Sequence, residues 1–107
     1  MKKSFILITD NSEEYVKDVL YSLLPLEDDE ELIIFDNLSN DNTVPFIVEK
    51  MGVLWIDEAQ RYKFYINMKK EEYEVVKNKA LSIARGTPII IDKKEKFDIE
   101  EVLKCYE

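Results

Sequence analysis

Four short runs of consecutive apolar residues constrain this chain most: Phe5-Ile6-Leu7-Ile8, Leu32-Ile33-Ile34-Phe35, Val53-Leu54-Trp55-Ile56 and Ile89-Ile90-Ile91. A strand with one wet face alternates apolar and polar side chains. Continuous runs of this length suit strands covered on both faces, as in parallel sheets. The stretches between them carry helical spacing, so strands alternate with helices. The expected fold is therefore α/β: a three-layer α/β/α arrangement around a mainly parallel sheet with right-handed crossovers. A chain of 107 residues has room for one such unit, expected to span 1–107.

The helices are drawn from apolar faces and their stops. Val16, Val19, Leu20, Leu23 and Leu24 share one face of a first helix. Asn11 is its N-cap, Glu14 the partner three residues on, and Pro25 its stop. The acidic run Glu27-Asp28-Asp29-Glu30-Glu31 reads as a solvated turn. A second helix has Val44, Ile47, Val48 and Met51 on one face, accepts Pro45 in its first turn and stops at Gly52. From Asp57 to Met68 the pattern is weakest. Tyr62, Phe64 and Ile66 alternate as a strand would, but Tyr65 interrupts the polar face. A third helix from about Lys70 turns Tyr73, Val76, Ala80, Ile83 and Ala84 inward and ends at Gly86. Asp98 and Glu101 open a last helix with Ile99, Val102, Leu103 and Tyr106 inward.

Composition removes several classes of function. There is no histidine, which takes away the commonest general base and a common transition-metal ligand. The one cysteine, Cys105, cannot form an internal disulfide and is no credible nucleophile without a histidine; a cytoplasmic location is expected. A formal net charge of −8 opposes nucleic acid and anionic membrane as partners. No apolar run approaches the roughly 18 residues of a membrane span. An anionic ligand would need a metal or local cations.

The most chemically loaded stretch is Asp36-Asn37-Leu38-Ser39-Asn40-Asp41-Asn42-Thr43, directly after the second apolar run. It has two readings. One is a strand-to-helix loop rich in capping residues. The other is a polar pocket at the carboxyl end of a parallel strand, where open α/β sheets bind ligands.

The order of elements and several motifs resemble the nucleotide-sugar-binding half of family 2 glycosyltransferases, which have the GT-A fold. In that family the first strand ends at an Asn before the first helix, as Ile8-Thr9-Asp10-Asn11 does. The second strand ends in Asp-Asp or Asp-Asn, followed by a small residue, Ser and a polar Asp-x-Thr stretch, as at Asp36 to Thr43. A basic residue and Asn, then Ala and Gly, precede a buried strand, as in Lys77-Asn78-Lys79-Ala80 through Ala84-Arg85-Gly86 to Ile89-Ile90-Ile91-Asp92. The resemblance covers nearly the whole chain and implies strand order 3-2-1-4. It also implies a nucleotide-sugar held by Thr9, Asn11, Asp36, Asn37 and Asn78, and Mg²⁺ or Mn²⁺ as a cofactor with Asp92 as a ligand.

Each of these residues also has an ordinary reading. Asp36 and Asn37 can bond loop amides, Asn78 can anchor packing from mid-helix, and Asp92 can pair with neighbouring lysines. Two departures stand out. Asp10 occupies the place of the family's usual aromatic. Asp92-Lys93-Lys94-Glu95-Lys96 replaces the metal-binding Asp-x-Asp, so lysines would have to supply part of the charge that faces a diphosphate. The chain also ends one helix after that motif, where the family continues into its acceptor-binding half. A glycosyltransferase-like domain, weak or inactive alone, is the expectation; a non-catalytic binding or assembly module is the alternative. Asp10, Asp57 and Thr87 loosely suit a phosphoacceptor receiver, but Thr87 precedes its strand and no Lys follows a fifth strand. Trp55, Tyr62, Phe64 and Tyr65 read as core or interface residues. If the strand-four side and the segment Tyr62 to Ile66 are left open, a homodimer or a separately encoded partner is expected there, with charge at Phe64 dissociating the pair.

Overall fold

The apolar runs at 5–8, 32–35 and 89–91 each lie inside a strand of one sheet. The computed structural model describes residues 2–58 and 61–91, with side chains assigned outside 53–58. The element order is β1 (Lys3–Thr9), α1 (Glu13–Leu23), β2 (Glu30–Asp36), α2 (Thr43–Glu58), β3 (Tyr62–Ile66), α3 (Tyr73–Ile83) and β4 (Thr87–Ile91). All strand pairings are parallel, in the order β3-β2-β1-β4 expected from the sequence.

Strand alternation sorts the side chains between two layers. Phe5, Leu7, Leu32, Ile34, Ile89 and Ile91 face α1 and α2, packing with Val16, Val19, Leu20, Ile47 and Met51. Ile6, Ile8, Ile33 and Phe35 face α3 through Val76 and Ala80. Both faces of β1 and β2 are thus covered, which is why their centres are continuous apolar runs. Among the described residues, no helix is long and apolar enough to cross a membrane.

The third strand is not where the apolar run placed it. Residues 53–56 continue α2, which runs through Gly52 to Glu58, and β3 is the alternating segment Tyr62–Ile66. A four-residue apolar run does not distinguish strand from buried helix. Gly52 has open space around its missing Cβ and negative φ, so it sits in the helix at only the usual glycine cost. Val48 is about half exposed rather than inward. The helix expected from Lys70 begins at Tyr73, and Tyr73 is nearly half exposed rather than inward.

The aromatic segment is not one open face. Tyr62 is buried and Phe64 packs against the larger core, while Tyr65 stacks on Phe35 with ring centroids 4.8 Å apart and stays half exposed. Charge at Phe64 would therefore damage the core instead of dissociating a dimer. The last helix, expected from Asp98, lies outside the described residues.

The acidic turn also needs correction. Glu30 and Glu31 belong to β2, and the Glu31 side chain is fully buried. Ser4 Oγ donates to it at 2.5 Å, the Arg85 amide at 2.7 Å, and Lys63 Nζ and Arg85 Nε at 3.2 Å each. Ser4 Oγ in turn accepts the Gly86 amide at 2.8 Å. This network fastens the α3–β4 turn to the amino edge of the sheet. Burial pushes the Glu31 carboxyl up, but the bonds from Ser4, Arg85 and Lys63, with the Lys63 charge, outweigh it and hold the carboxyl below its ordinary value.

Glu31→Ala is expected to cost about 2 kcal/mol at pH 7, because it strands the buried Ser4 hydroxyl and takes the acceptor from the part-buried Arg85 and Lys63 donors. A depressed folded-state value means this stabilisation is complete above the ordinary carboxyl value of 4.5 and fades as pH falls through the folded-state value below it. Urea unfolding of wild type and Glu31→Ala at several pH values checks it. The gap between the two proteins should narrow only in acid.

Candidate functional site

Parallel pairing in register puts Thr9, Asp36 and Ile66 level with one another at the carboxyl ends of β1, β2 and β3. The loops that follow these strands lead into α1, α2 and α3, so polar residues just after each strand meet at one edge.

Asp36 is the hub on the α1/α2 side. Its side chain is fully buried. Oδ1 accepts Thr9 Oγ1 at 2.6 Å and Ser39 Oγ at 2.5 Å, and Oδ2 accepts the Ser39 amide at 2.8 Å. Both carboxylate oxygens are thereby used to tie β1 to the loop after β2. Ser39 Oγ also accepts the Asn11 amide at 2.9 Å, and Asn11 Oδ1 accepts the Asn40 amide at 2.8 Å. The loops after β1 and β2 are zipped together. Asn11 is thus a loop tie and not the expected N-cap, the position held by Ser12.

A second clasp lies just beyond. Thr43 Oγ1 accepts the Ser12 amide at 2.9 Å and donates to Asp41 Oδ1 at 2.5 Å; the Thr43 amide reaches the same oxygen at 2.9 Å. These bonds join the first turns of α1 and α2. Partial burial pushes the Asp41 carboxyl up, but the bonds from the Thr43 hydroxyl and amide and from the Glu13 amide outweigh it and hold the carboxyl below its ordinary value.

Asn37, one residue past Asp36, turns to the α3 side. Its Nδ2 donates to the Glu71 carbonyl at 2.8 Å, and its Oδ1 accepts the Glu71 amide at 3.0 Å. The carboxamide thus mimics a backbone strand partner and grips the loop before α3 from both directions. Asn67 adds Nδ2 to Asn37 Oδ1 at 3.2 Å, and its amide bonds the Asp36 carbonyl at 2.8 Å. Lys70 forms an ion pair with Asp10 across the same edge.

Thr9, Asn11, Asp36 and Asn37 are therefore gathered at one edge. Asn78 is not with them: it is exposed on α3, two residues from each of the inward Val76 and Ala80 and so on the opposite face. Asp92 lies outside the described residues. Ser39 and Asn67 are full members of the cluster that the sequence reading did not nominate. Asn67 follows β3 as Asp10 follows β1 and Asn37 follows β2, a signal readable once the strand is placed at Tyr62–Ile66.

Asp92, the expected metal ligand, lies outside the described residues. Among them no group of three or more acidic or cysteine side chains converges, and Asp36 has both oxygens engaged by protein donors.

Leu38 adopts φ 56°, the left-handed region that penalises a Cβ, and it occupies the position where the resemblance has a small residue. Leu38→Gly is expected to leave the fold intact and to raise its unfolding free energy, by up to about 1 kcal/mol. Urea denaturation of the variant beside wild type checks this; a loss of stability would show that Leu38 contributes packing worth more than its strain.

Comparison with known proteins gives a consistent result. The model of the family described as "Glycosyl transferase family 2" matches residues 4–91. Among solved structures, the crystal structure of S. aureus TarS superposes with a TM-score of 0.68 at 30% identity, covering 86% of this chain and 16% of that one. The structure of S. aureus TarS 1-349 in complex with UDP superposes with a TM-score of 0.71 at 27% identity, covering 99% of this chain and 31% of that one. The chain thus spans under a third of the TarS chains it matches. No curated protein matches.

Proposed function

The chain belongs to glycosyl transferase family 2, and from that premise we propose that it binds the nucleotide part of a UDP-sugar at the carboxyl edge of β1 and β2. The domain is glycosyltransferase-like and resembles the nucleotide-sugar-binding half of the family. The observation that carries the proposal is the joint made by Thr9, Asp36 and Ser39, which fixes two loops at the edge where open parallel sheets receive ligands. Strand order reverses beside it: the chain steps from β1 through β2 to β3, then returns to the far side of β1 as β4. UDP is chosen because the TarS 1-349 structure was solved with it.

In this reading the residues divide by exposure. Asp36 and Thr9 are fully buried and Asn37 nearly so. They position loops; the exposed Asn11 and Leu38 present the surface a nucleotide meets. Bound Mg²⁺ or Mn²⁺ would neutralise a diphosphate leaving group in the family's chemistry, with Asp92 as the ligand the resemblance implies. Binding of the nucleotide part is the activity we assign to this unit. The lone cysteine suits a reducing compartment, and cytoplasmic is the location we propose.

Isothermal titration calorimetry with UDP and GDP tests this. UDP should bind with a dissociation constant in the hundreds of micromolar, about −5 kcal/mol. Asp36→Ala should abolish binding, and Asn78→Ala should leave it unchanged. Absence of saturable UDP binding by wild type would overturn the proposal, and submicromolar affinity would contradict the weak site.

A further inference from the structure

The Asp10–Lys70 ion pair joins the loops that leave β1 and β3. Those strands are not neighbours, because β2 lies between them. The pair therefore bridges across the carboxyl end of β2, beside the Asn37 clasp. Its two ends are held differently from ordinary surface charges. Glu71, next to Lys70, is gripped by Asn37 through both its amide and its carbonyl, and Asn67 fixes the start of the same loop. On the other side, the Asp10 amide donates to Ser12 Oγ at 3.0 Å, and Ser12 Oγ donates back to the Asp10 carbonyl. Yet the charged groups themselves are open to water, with side-chain exposures of 49% for Lys70 and 45% for Asp10. An exposed pair on fixed backbones can exchange partners at little cost.

From this geometry we infer that Lys70 is the cation that receives the anionic part of the ligand, with Asp10 as its resting counter-ion. This rests on the nucleotide reading above and adds a specificity residue to it. The nearby Glu71 carboxylate is already paired with Lys79. In a chain of net charge −8, an accessible lysine at this edge is what would draw a diphosphate against the general field. An anion arriving at Lys70 displaces the Asp10 carboxylate, which competes with the ligand until then. Asp10 thereby tunes affinity downward.

Calorimetry at low ionic strength with three probes tests the inference: UDP, uridine and inorganic pyrophosphate. Lys70→Gln should weaken UDP and pyrophosphate by about tenfold, the worth of one charge-assisted hydrogen bond, and leave uridine unchanged. Asp10→Asn should tighten UDP by about threefold, and the double variant should behave as Lys70→Gln. Circular dichroism confirms the fold, since both side chains are exposed. UDP binding that is unaltered by Lys70→Gln would overturn the inference and leave the nucleotide reading standing. Lys70-dependent pyrophosphate binding, without UDP or uridine selectivity, would sustain the cation and sink the nucleotide. If wild type binds neither UDP nor pyrophosphate, both fall.

Discussion

The carboxylate of Asp36, buried and shared between Thr9 and Ser39, is the constraint on which the carboxyl edge of this molecule depends. A buried charge must be fully hydrogen-bonded or it becomes a large penalty. Here that demand is met by two hydroxyls and an amide drawn from separate loops. Satisfying Asp36 therefore fixes the β1–α1 loop relative to the β2–α2 loop. Asn11 and Asn40 then close the zip, and Thr43 and Asp41 dock the two helix starts.

Strand β2 carries a second carboxylate at its other end, and the contrast is instructive. Glu31 faces the α3 layer and is held by Ser4, Lys63 and Arg85. Asp36 faces the α1/α2 layer and is held by neutral donors alone. Glu31 has cations beside it and fastens α3 to the sheet. Among the described residues, the Lys70–Asp10 pair at that edge is exposed on both sides. One strand thus fastens the α3–β4 turn at its amino end and ties the loops after β1 and β2 together at its carboxyl end.

Much of this was legible in the sequence, for physical reasons that differ by element. β1, β2 and β4 were readable because strands buried on both faces leave continuous apolar runs. β3 was not, since it is an edge strand whose Tyr65 is half exposed on a face that also carries Phe35. The run at 53–56 misled because the same four residues satisfy a helix when Gly52 does not stop it. In the candidate site, Asp36 and Asn37 stood out as polar residues at a strand end, whereas Thr9 and Asn11 were marked by the resemblance alone. Asn67 did not stand out, because its role arises from a loop contact 30 residues away, and Ser39 read as one capping residue among several until its bonds to Asp36 and to the Asn11 amide were seen. Glu31 looked solvated, and only its long-range donors make its burial tenable.

The central claim is that the carboxyl edge, held by Asp36 and Asn37, is where ligand meets this domain. Backbone amide chemical-shift mapping during a titration with UDP tests that claim most directly. Shifts should concentrate at Thr9 to Ser12, Asn37 to Asn40 and Lys70 to Glu71, with Ser4, Glu31 and Arg85 at the opposite edge unmoved. Saturable shifts centred on Ser4, Glu31 and Arg85, or on the outer face of α3 around Asn78, would contradict it.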